Sequence, residues 1–170
     1  MKMKMKKILI IGCPGGGKSS FARELHKRTS LPLCHLDMLF WNADKTTVTR
    51  ELLCERVRDV LSGDEWIIDG NFNRTIPLRL QYSDTVIWLD FPRLTCILGV
   101  LKRVITNYGK TRPDMGDGCP ERFDFEFLRF VWGFNKKHRQ RYNEMLDNTN
   151  GIRVIKLKNR KEVARFLENI

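Results

Sequence analysis

The chain alternates short apolar runs with longer segments of helical periodicity. Four runs are almost entirely apolar, a pattern typical of parallel strands that are buried on both faces. They cover residues 7–12, 66–69, 85–89 and 152–157, and a fifth, weaker run lies near residues 33–36. Because helical patterns separate the runs, the sequence predicts an α/β fold in which a parallel sheet carries helices on both faces.

The predicted helices are marked by apolar residues three or four positions apart. Leu53, Val57 and Leu61 share one face of a helix that Thr49 is placed to cap and that Gly63 is placed to end. Three further stripes comprise Leu94, Ile97, Leu98, Leu101, Val104 and Ile105; Phe127, Phe130, Val131 and Phe134; and Val163, Phe166 and Leu167. Apolar stripes of this kind face the core in amphipathic helices. The aromatic segment Phe123–Phe134 could suggest base stacking, but aromatic residues at helical spacing are more often part of the core.

A glycine loop follows the first apolar run and precedes the first helical pattern. Residues 12–19 read Gly-Cys-Pro-Gly-Gly-Gly-Lys-Ser, which is G-x-x-x-x-G-K-S in a strand–loop–helix setting. Glycines let backbone N–H groups surround an anion, and the helix points its positive end at the same place. Lys18 is then predicted to reach the β- and γ-phosphates of a nucleoside triphosphate, and the Ser19 hydroxyl to bind Mg²⁺. The predicted binding residues are Gly12, Gly15, Gly16, Gly17, Lys18, Ser19 and Ser20.

Acidic and basic side chains follow the ends of the predicted strands. Asp69 ends one apolar run, at the kind of position where the water shell of Mg²⁺ is anchored beside a phosphate site. Asp90 ends the next run and remains an alternative anchor. Arg74 can hold a phosphate through two parallel hydrogen bonds, or form a surface salt bridge. Asp37 is predicted to accept a hydroxyl proton or bind an acceptor, with simple capping as the alternative.

Length and cysteine usage limit the class of protein. The 170 residues are predicted to form one domain, residues 1–170, without an apolar run near the roughly 20 residues that a membrane span needs. The basic start resembles the front of a signal peptide, but the apolar stretch behind it is too short. Five cysteines are scattered and odd in number, which predicts neither a disulfide framework nor a zinc site. We therefore expect a cytoplasmic protein.

The positive charge is large and unevenly distributed. The formal net charge is +11, with one basic region in residues 1–30 and another in residues 102–141. Such a surplus suits phosphorylated metabolites or nucleic acid. The sequence contains no recognition-helix signature and no interleaved aromatic–basic platform. Charge therefore favours a site that handles phosphate over a dedicated DNA-binding surface.

Two of these motifs together resemble the adenylate-kinase-like P-loop kinases. Residues 12–20 carry the loop, and residues 67–75 read Ile-Ile-Asp-Gly-Asn-Phe-Asn-Arg-Thr, similar to an Asp-Gly-x-x-Arg-Thr segment with Arg74 one place later. The chain is also similar, over nearly its full length, to a bacterial group called DNA topology modulation proteins. The shared stretches are 35–37 with 40–41, 66–74, 89–93, 111–115 and 118–123.

The resemblance implies a three-layer αβα P-loop NTPase fold of the nucleoside or nucleotide kinase type, with a five-stranded parallel sheet of order 2-3-1-4-5. It also implies an acceptor-binding insertion at about residues 37–60 and a lid at about residues 107–122. The insertion is shorter than in adenylate kinases and lacks their threonine–glycine–arginine pattern for AMP. The sequence therefore does not identify the acceptor, which need not be a nucleotide.

The expected activity is an ATP- and Mg²⁺-dependent phosphotransfer to an unidentified small acceptor. Lys18 and Asp69 would act with arginines that close over the moving phosphoryl group, because this chemistry needs mainly positioning and neutralisation of charge. The candidates are Arg103, Arg112 and Arg122, with Arg139 and Arg141 behind them. Two alternatives remain: a non-catalytic nucleotide-binding protein whose basic surface contacts DNA, and a slow NTPase.

Overall fold

The computed structural model describes residues 5–42, 46–111, 113–114 and 120–170. Its strands are β1 Lys7–Gly12, β2 Leu33–His35, β3 Trp66–Asp69, β4 Thr85–Leu89 and β5 Arg153–Leu157. Its helices are α1 Lys18–Thr29, α2 Leu36–Phe40, α3 Arg50–Leu61, α4 Ile76–Leu80, α5 Arg93–Asn107, α6 Phe125–Asp147 and α7 Arg160–Glu168. The strands match the runs predicted from the sequence to within a residue at each end.

The described strands form one parallel sheet of order β2-β3-β1-β4-β5, as expected. The first strand is central: Ile8 pairs with Ile67 of β3 on one side and with Thr85 of β4 on the other. Every residue from Ile8 to Ile11 is fully buried, because helices cover both faces of this strand. The α/β prediction and its strand order are confirmed.

The predicted cap of α3 is present. Thr49 Oγ1 accepts a hydrogen bond from the backbone N–H of Leu52 at 3.3 Å, and Leu53, Val57 and Leu61 are buried. A side-chain acceptor at this position satisfies one of the free N–H groups of the first turn. The helix thereby begins where the sequence placed it.

The orientation of α5 differs from the expectation. Leu94, Leu98 and Ile105 were predicted to face the core, but their exposed fractions are 61%, 65% and 79%. Cys96 and Val100 are buried instead. The reason is a backbone contact, because the α5 face that carries Cys96 and Gly99 packs on the glycine loop and turns the leucine stripe outward. That prediction was wrong for these three residues.

The aromatic stripe of α6 is divided between core and surface. Val131 and Phe134 are buried, as expected, whereas Phe130 is partly exposed. Phe127, Phe130 and Phe134 all border the main cavity described below. The stripe therefore contributes to a surface that faces a cavity as well as to the core. Within the described part of the chain, no helix is both long and apolar enough to cross a membrane.

Candidate functional site

The main cavity lies at the carboxyl ends of the strands, where sites collect in open parallel sheets. Its volume is about 1020 Å³, and it is bordered by segments that follow β1, β2 and β3, by α5 and α6, and by the start of α7. Of the predicted site residues, the cavity lining includes Gly15, Gly17, Lys18, Ser19, Ser20, Asp37, Asp69, Arg103 and Arg122. The sheet thus brings together residues that are far apart in sequence.

The glycine loop adopts a conformation that side chains would prevent. Gly15 and Gly17 have φ angles of 78° and 85°, in the left-handed region that favours glycine. A Cβ atom on Gly15 would lie 2.1 Å from the Cys96 carbonyl oxygen, and one on Gly17 would lie 2.6 Å from Arg160 Nη1. The backbone of the loop is therefore in direct contact with α5 and with the first residue of α7.

The first turn of α1 faces the cavity. Gly17 is the N-cap and, having no side chain, makes no side-chain cap hydrogen bond. Lys18 Nζ donates to the Cys13 carbonyl oxygen at 3.3 Å, which folds the ammonium back over the loop. The helix end and the ammonium both provide positive electrostatic potential at the same side of the cavity.

Two neighbouring strand ends form a buried polar pair. His35 at the end of β2 and Asp69 at the end of β3 are in register, and His35 Nδ1 lies 2.9 Å from Asp69 Oδ2. Asp69 Oδ1 is buried and has no hydrogen-bond partner among the described residues. A buried carboxylate oxygen without a hydrogen-bond partner destabilises the fold. Because Asp69 borders the cavity, this oxygen can accept a hydrogen bond from a bound ligand or from a water molecule that accompanies it.

Asp90, the alternative anchor, is engaged elsewhere. Its Oδ2 accepts hydrogen bonds from Arg139 Nε at 3.1 Å and from Arg139 Nη2 at 2.8 Å. The pair borders a second cavity of about 520 Å³, together with Lys156 and Lys158. Arg139, expected behind the lid arginines, therefore lies against Asp90 in this second cavity. Arg141 is exposed and borders neither cavity.

Two residues that the sequence reasoning missed shape the segment after β3. Asn71 Oδ1 accepts from the Gly12 N–H at 3.0 Å, and Asn71 Nδ2 donates to the Gly12 carbonyl at 2.8 Å. This double hydrogen bond joins the end of β1 to the end of β3. Arg79 is fully buried; its guanidinium donates to the Gly70 carbonyl at 2.9 Å and also to the Asn71 carbonyl. Burial away from water lowers the pKa of Arg79 to about 10.

Arg74, the predicted phosphate ligand, is exposed and is not among the residues that line the main cavity. The arginine that reaches the turn after Asp69 is Arg79 instead. The signal in the sequence was weak, since a basic residue among Ile76, Leu78 and Leu80 is the one hint of burial. Asn71 carried no signal, because its partner is Gly12, 59 residues earlier.

The described part of the expected lid packs on α1 and α5. Arg103 Nη2 lies 3.0 Å from Glu121 Oε1, and its guanidinium lies 5.4 Å from the centre of the Phe127 ring. Arg23 Nη1 contacts the buried Asp114 carboxylate at 3.4 Å, which connects this segment to α1. Arg122 borders the cavity and is exposed to solvent. Arg112 lies outside the described residues.

The described part of the expected acceptor insertion contains α2, Trp41 and Asn42, and residues 46–60, most of which form α3. Asp37 in α2 borders the main cavity, as do Phe40 and Trp41 at the end of that helix. Trp41 forms an antiparallel bridge with Thr47, and the Val48 N–H donates to the Phe40 carbonyl at 2.9 Å. The hydrogen bonds hold the two aromatic residues against the cavity.

Comparisons with known proteins add no assignment: no family model matches the chain, and no curated protein matches it either.

Proposed function

We propose that the chain is an ATP- and Mg²⁺-dependent phosphotransferase of the P-loop NTPase type, which moves the γ-phosphoryl group of ATP to a small acceptor. The observation that carries this proposal is the glycine loop. Its backbone leaves no room for side chains at Gly15 and Gly17, and it leads into a helix whose first turn faces a large cavity. Such a cradle is suited to the phosphates of a nucleotide.

The side chains around the loop fit a donor site. Lys18 leaves the Cys13 carbonyl and contacts the β- and γ-phosphates, and the Ser19 hydroxyl supplies one ligand for magnesium. Asp69 Oδ1, buried without a partner among the described residues, would accept a hydrogen bond from the water shell of magnesium. When bound, magnesium neutralises charge on the β- and γ-phosphate oxygens.

Cations from α5 and the lid complete the proposed site. Arg103 and Arg122 border the cavity and neutralise the three oxygens of the moving group, together with Arg112. Closure of the lid, residues 107–122, excludes water that would otherwise hydrolyse ATP. Asp37, from the acceptor insertion of residues 37–60, faces the acceptor hydroxyl.

The first test is calorimetry with ATP and Mg²⁺ on the Lys18→Ala variant. We expect affinity for ATP to fall at least about tenfold, because the ammonium makes charge-assisted contacts with the phosphates. Lys27→Ala is the matched control, since Lys27 is exposed on the same helix and does not border the cavity. Wild-type affinity in Lys18→Ala would contradict the proposed donor site.

The second test separates a kinase from its alternatives. ADP release is measured with ATP, Mg²⁺ and a panel of nucleosides, nucleoside monophosphates and small hydroxylated metabolites. Release that depends on one acceptor class supports a kinase. Release that is indifferent to every acceptor indicates a slow NTPase, and binding of ATP without release indicates a regulatory nucleotide-binding protein.

A further inference from the structure

Two cysteine thiols that the proposed mechanism does not use lie in contact where the glycine loop packs on α5. Cys13 belongs to the loop, and Cys96 lies in the first turn of α5. Both are free thiols, and both are buried, with exposed fractions of 2% and 0%. The Cys13 thiol hydrogen-bonds to the Cys96 sulfur. The fold therefore makes neighbours of two sulfur atoms that the sequence separates widely.

Three backbone segments hold the thiol pair in place. A Cβ atom on Gly15 would lie 2.1 Å from the Cys96 carbonyl oxygen, so the loop and α5 touch directly beside the two sulfurs. The Cys13 sulfur lies 3.8 Å from the Val131 carbonyl oxygen of α6. The Cys96 sulfur lies 3.9 Å from the Phe91 carbonyl oxygen. A disulfide requires such enforced proximity, because its two Cβ atoms lie only about 3.5–4.5 Å apart.

The hydrogen bond makes the two thiols chemically unequal. It raises the pKa of Cys13, to which burial also contributes, and it lowers the pKa of Cys96. The cations Lys18 and Arg160 lower the pKa of Cys96 further, because they favour its thiolate, although burial and Asp90 oppose them. Since the thiolate is the nucleophilic form of cysteine, Cys96 is the nucleophile of the pair and Cys13 keeps its proton.

Burial restricts which oxidant can reach the pair. Neither cysteine lines the two cavities described above, but Pro14, Gly15 and Gly99 beside them line the main cavity. A bulky disulfide such as oxidised glutathione does not fit against a fully buried sulfur. Hydrogen peroxide is little larger than water, and it can enter when the loop opens locally. The position therefore suits a small peroxide.

From these observations we propose that Cys13 and Cys96 form a peroxide-sensitive modification site, whose disulfide ties the glycine loop to α5 and weakens phosphate binding at the loop. Formation of the disulfide is independent of the proposed phosphotransferase function, whereas its effect on nucleotide affinity rests on that function. Bond formation draws Cys13 towards α5, and the close contact between Gly15 and the Cys96 carbonyl prevents the two backbones from approaching further. The loop must therefore change its conformation, and its N–H groups no longer surround an anion in the same way.

The oxidation consumes one peroxide molecule and two thiols. The Cys96 thiolate attacks one peroxide oxygen, the O–O bond breaks, and the departing hydroxide takes the proton that Cys96 released, which leaves water and a sulfenic acid on Cys96. The Cys13 sulfur then attacks the Cys96 sulfur, and the S–O bond breaks. The second hydroxide leaves with its electron pair and takes the Cys13 proton. Two thiols are thus oxidised to one disulfide while hydrogen peroxide is reduced to two water molecules.

Peptide mapping tests the site without reference to catalysis. The reduced full chain is treated with a small molar excess of hydrogen peroxide, the remaining thiols are alkylated, and the digest is analysed by mass spectrometry. We expect a linked peptide that joins Cys13 to Cys96 with the loss of two hydrogen atoms, and we expect dithiothreitol to remove the link. Absence of the link, or a link from either cysteine to a different one, would overturn the proposal.

Two serine variants test the roles of the two thiols. Cys13→Ser keeps an O–H donor beside Cys96, so oxidation of Cys96 should stop at the sulfenic acid, which dimedone traps. In Cys96→Ser, Cys13 keeps its proton, and dimedone labelling should be at least about tenfold lower. Cys54→Ser is the matched control, because Cys54 is half-buried on α3 and the pair stays intact. Equal labelling of the two variants would contradict the assigned nucleophile, and the wild-type mapping remains decisive if a variant fails to fold.

Calorimetry with ATP and Mg²⁺ measures the effect of the disulfide on the loop. We expect oxidised wild type to bind ATP at least about tenfold more weakly than reduced wild type, and dithiothreitol to restore the affinity. The same peroxide treatment of Cys96→Ser should change its affinity less than about twofold. Equal affinity of oxidised and reduced wild type would overturn the proposed effect. If the reduced chain binds no ATP, the phosphotransferase itself fails, and the peptide mapping still reports on the thiol pair.

Discussion

At the scale of a residue, Asp69 and Asp90 show how far the sequence alone can identify a site residue. Both end buried strands, and sequence position alone left both as metal anchors. The structure separates them by their partners: Asp69 contacts His35, 34 residues earlier, and Asp90 contacts Arg139, 49 residues later. Such partners are brought together by the topology of the sheet, so a local pattern cannot identify them.

The difference predicts that the same substitution affects kcat strongly at Asp69 and little at Asp90. Asp69→Asn removes the charge beside the proposed magnesium site but keeps an oxygen that can accept from His35, so we expect kcat to fall about 100-fold with ATP affinity changed less than about threefold. The measurements are steady-state ADP release with the best acceptor and calorimetry with ATP. In Asp90→Asn, which loses only charge in the contact with Arg139, kcat should stay within about threefold of wild type. The assignment of Asp69 fails if the two variants exchange these results.

Helix α5 shows the corresponding limit at the scale of an element. The existence and length of α5 follow from its apolar periodicity. Two overlapping apolar stripes could face the core, and the sequence analysis chose the one with the larger residues, such as Leu94 and Leu98, which is exposed. The deciding contact involves no side chain. A Cβ atom on Gly99 would lie 2.0 Å from the Gly15 carbonyl oxygen, so the helix approaches the glycine loop backbone to backbone. Hydrophobic patterns carry no information about such contacts.

Two helical glycines therefore give a matched test. Gly99→Ala in α5 and Gly133→Ala in α6 gain the same intrinsic helix propensity, about 1 kcal/mol. A Cβ atom on Gly133 meets nothing closer than Lys137 Cε at 4.0 Å, so this variant should be more stable than wild type. Gly99→Ala should lower the free energy of unfolding and weaken ATP binding, because it displaces the glycine loop. Urea denaturation measures the free energy of unfolding, and calorimetry measures the affinity for ATP. Equal stabilisation of the two variants would contradict the packing of α5 on the glycine loop.

At the scale of the whole molecule, the fold was more predictable than the site. Alternating apolar runs and helical patterns predicted the parallel sheet, and the resemblance to kinases predicted the order β2-β3-β1-β4-β5. The net charge of +11 was the least informative quantity. It did not distinguish cations on the cavity lining, such as Lys18 and Arg122, from those on the outer surface.

Ionic strength distinguishes these two groups of cations. If the outer charge only attracts polyanions non-specifically, retention of a 30-base-pair DNA should fall about 10²–10³-fold between 50 and 200 mM NaCl. If ATP binds at the glycine loop as proposed, its affinity should change less than about tenfold over the same range, because salt screens contacts in a partly buried site less than contacts on the outer surface. Filter binding measures the retention of DNA, and calorimetry measures the affinity for ATP. Submicromolar DNA affinity at 200 mM NaCl would favour the DNA-contacting alternative.

The contact between Gly15 and Gly99 also constrains how the protein is made. Synthesis proceeds at about 5–20 residues per second, so the glycine loop leaves the ribosome several seconds before the α5 backbone that shapes it. We therefore expect that the proposed nucleotide site does not form in a nascent chain that ends before α5. The folded conformation of the loop is completed only after Gly99 has been synthesised.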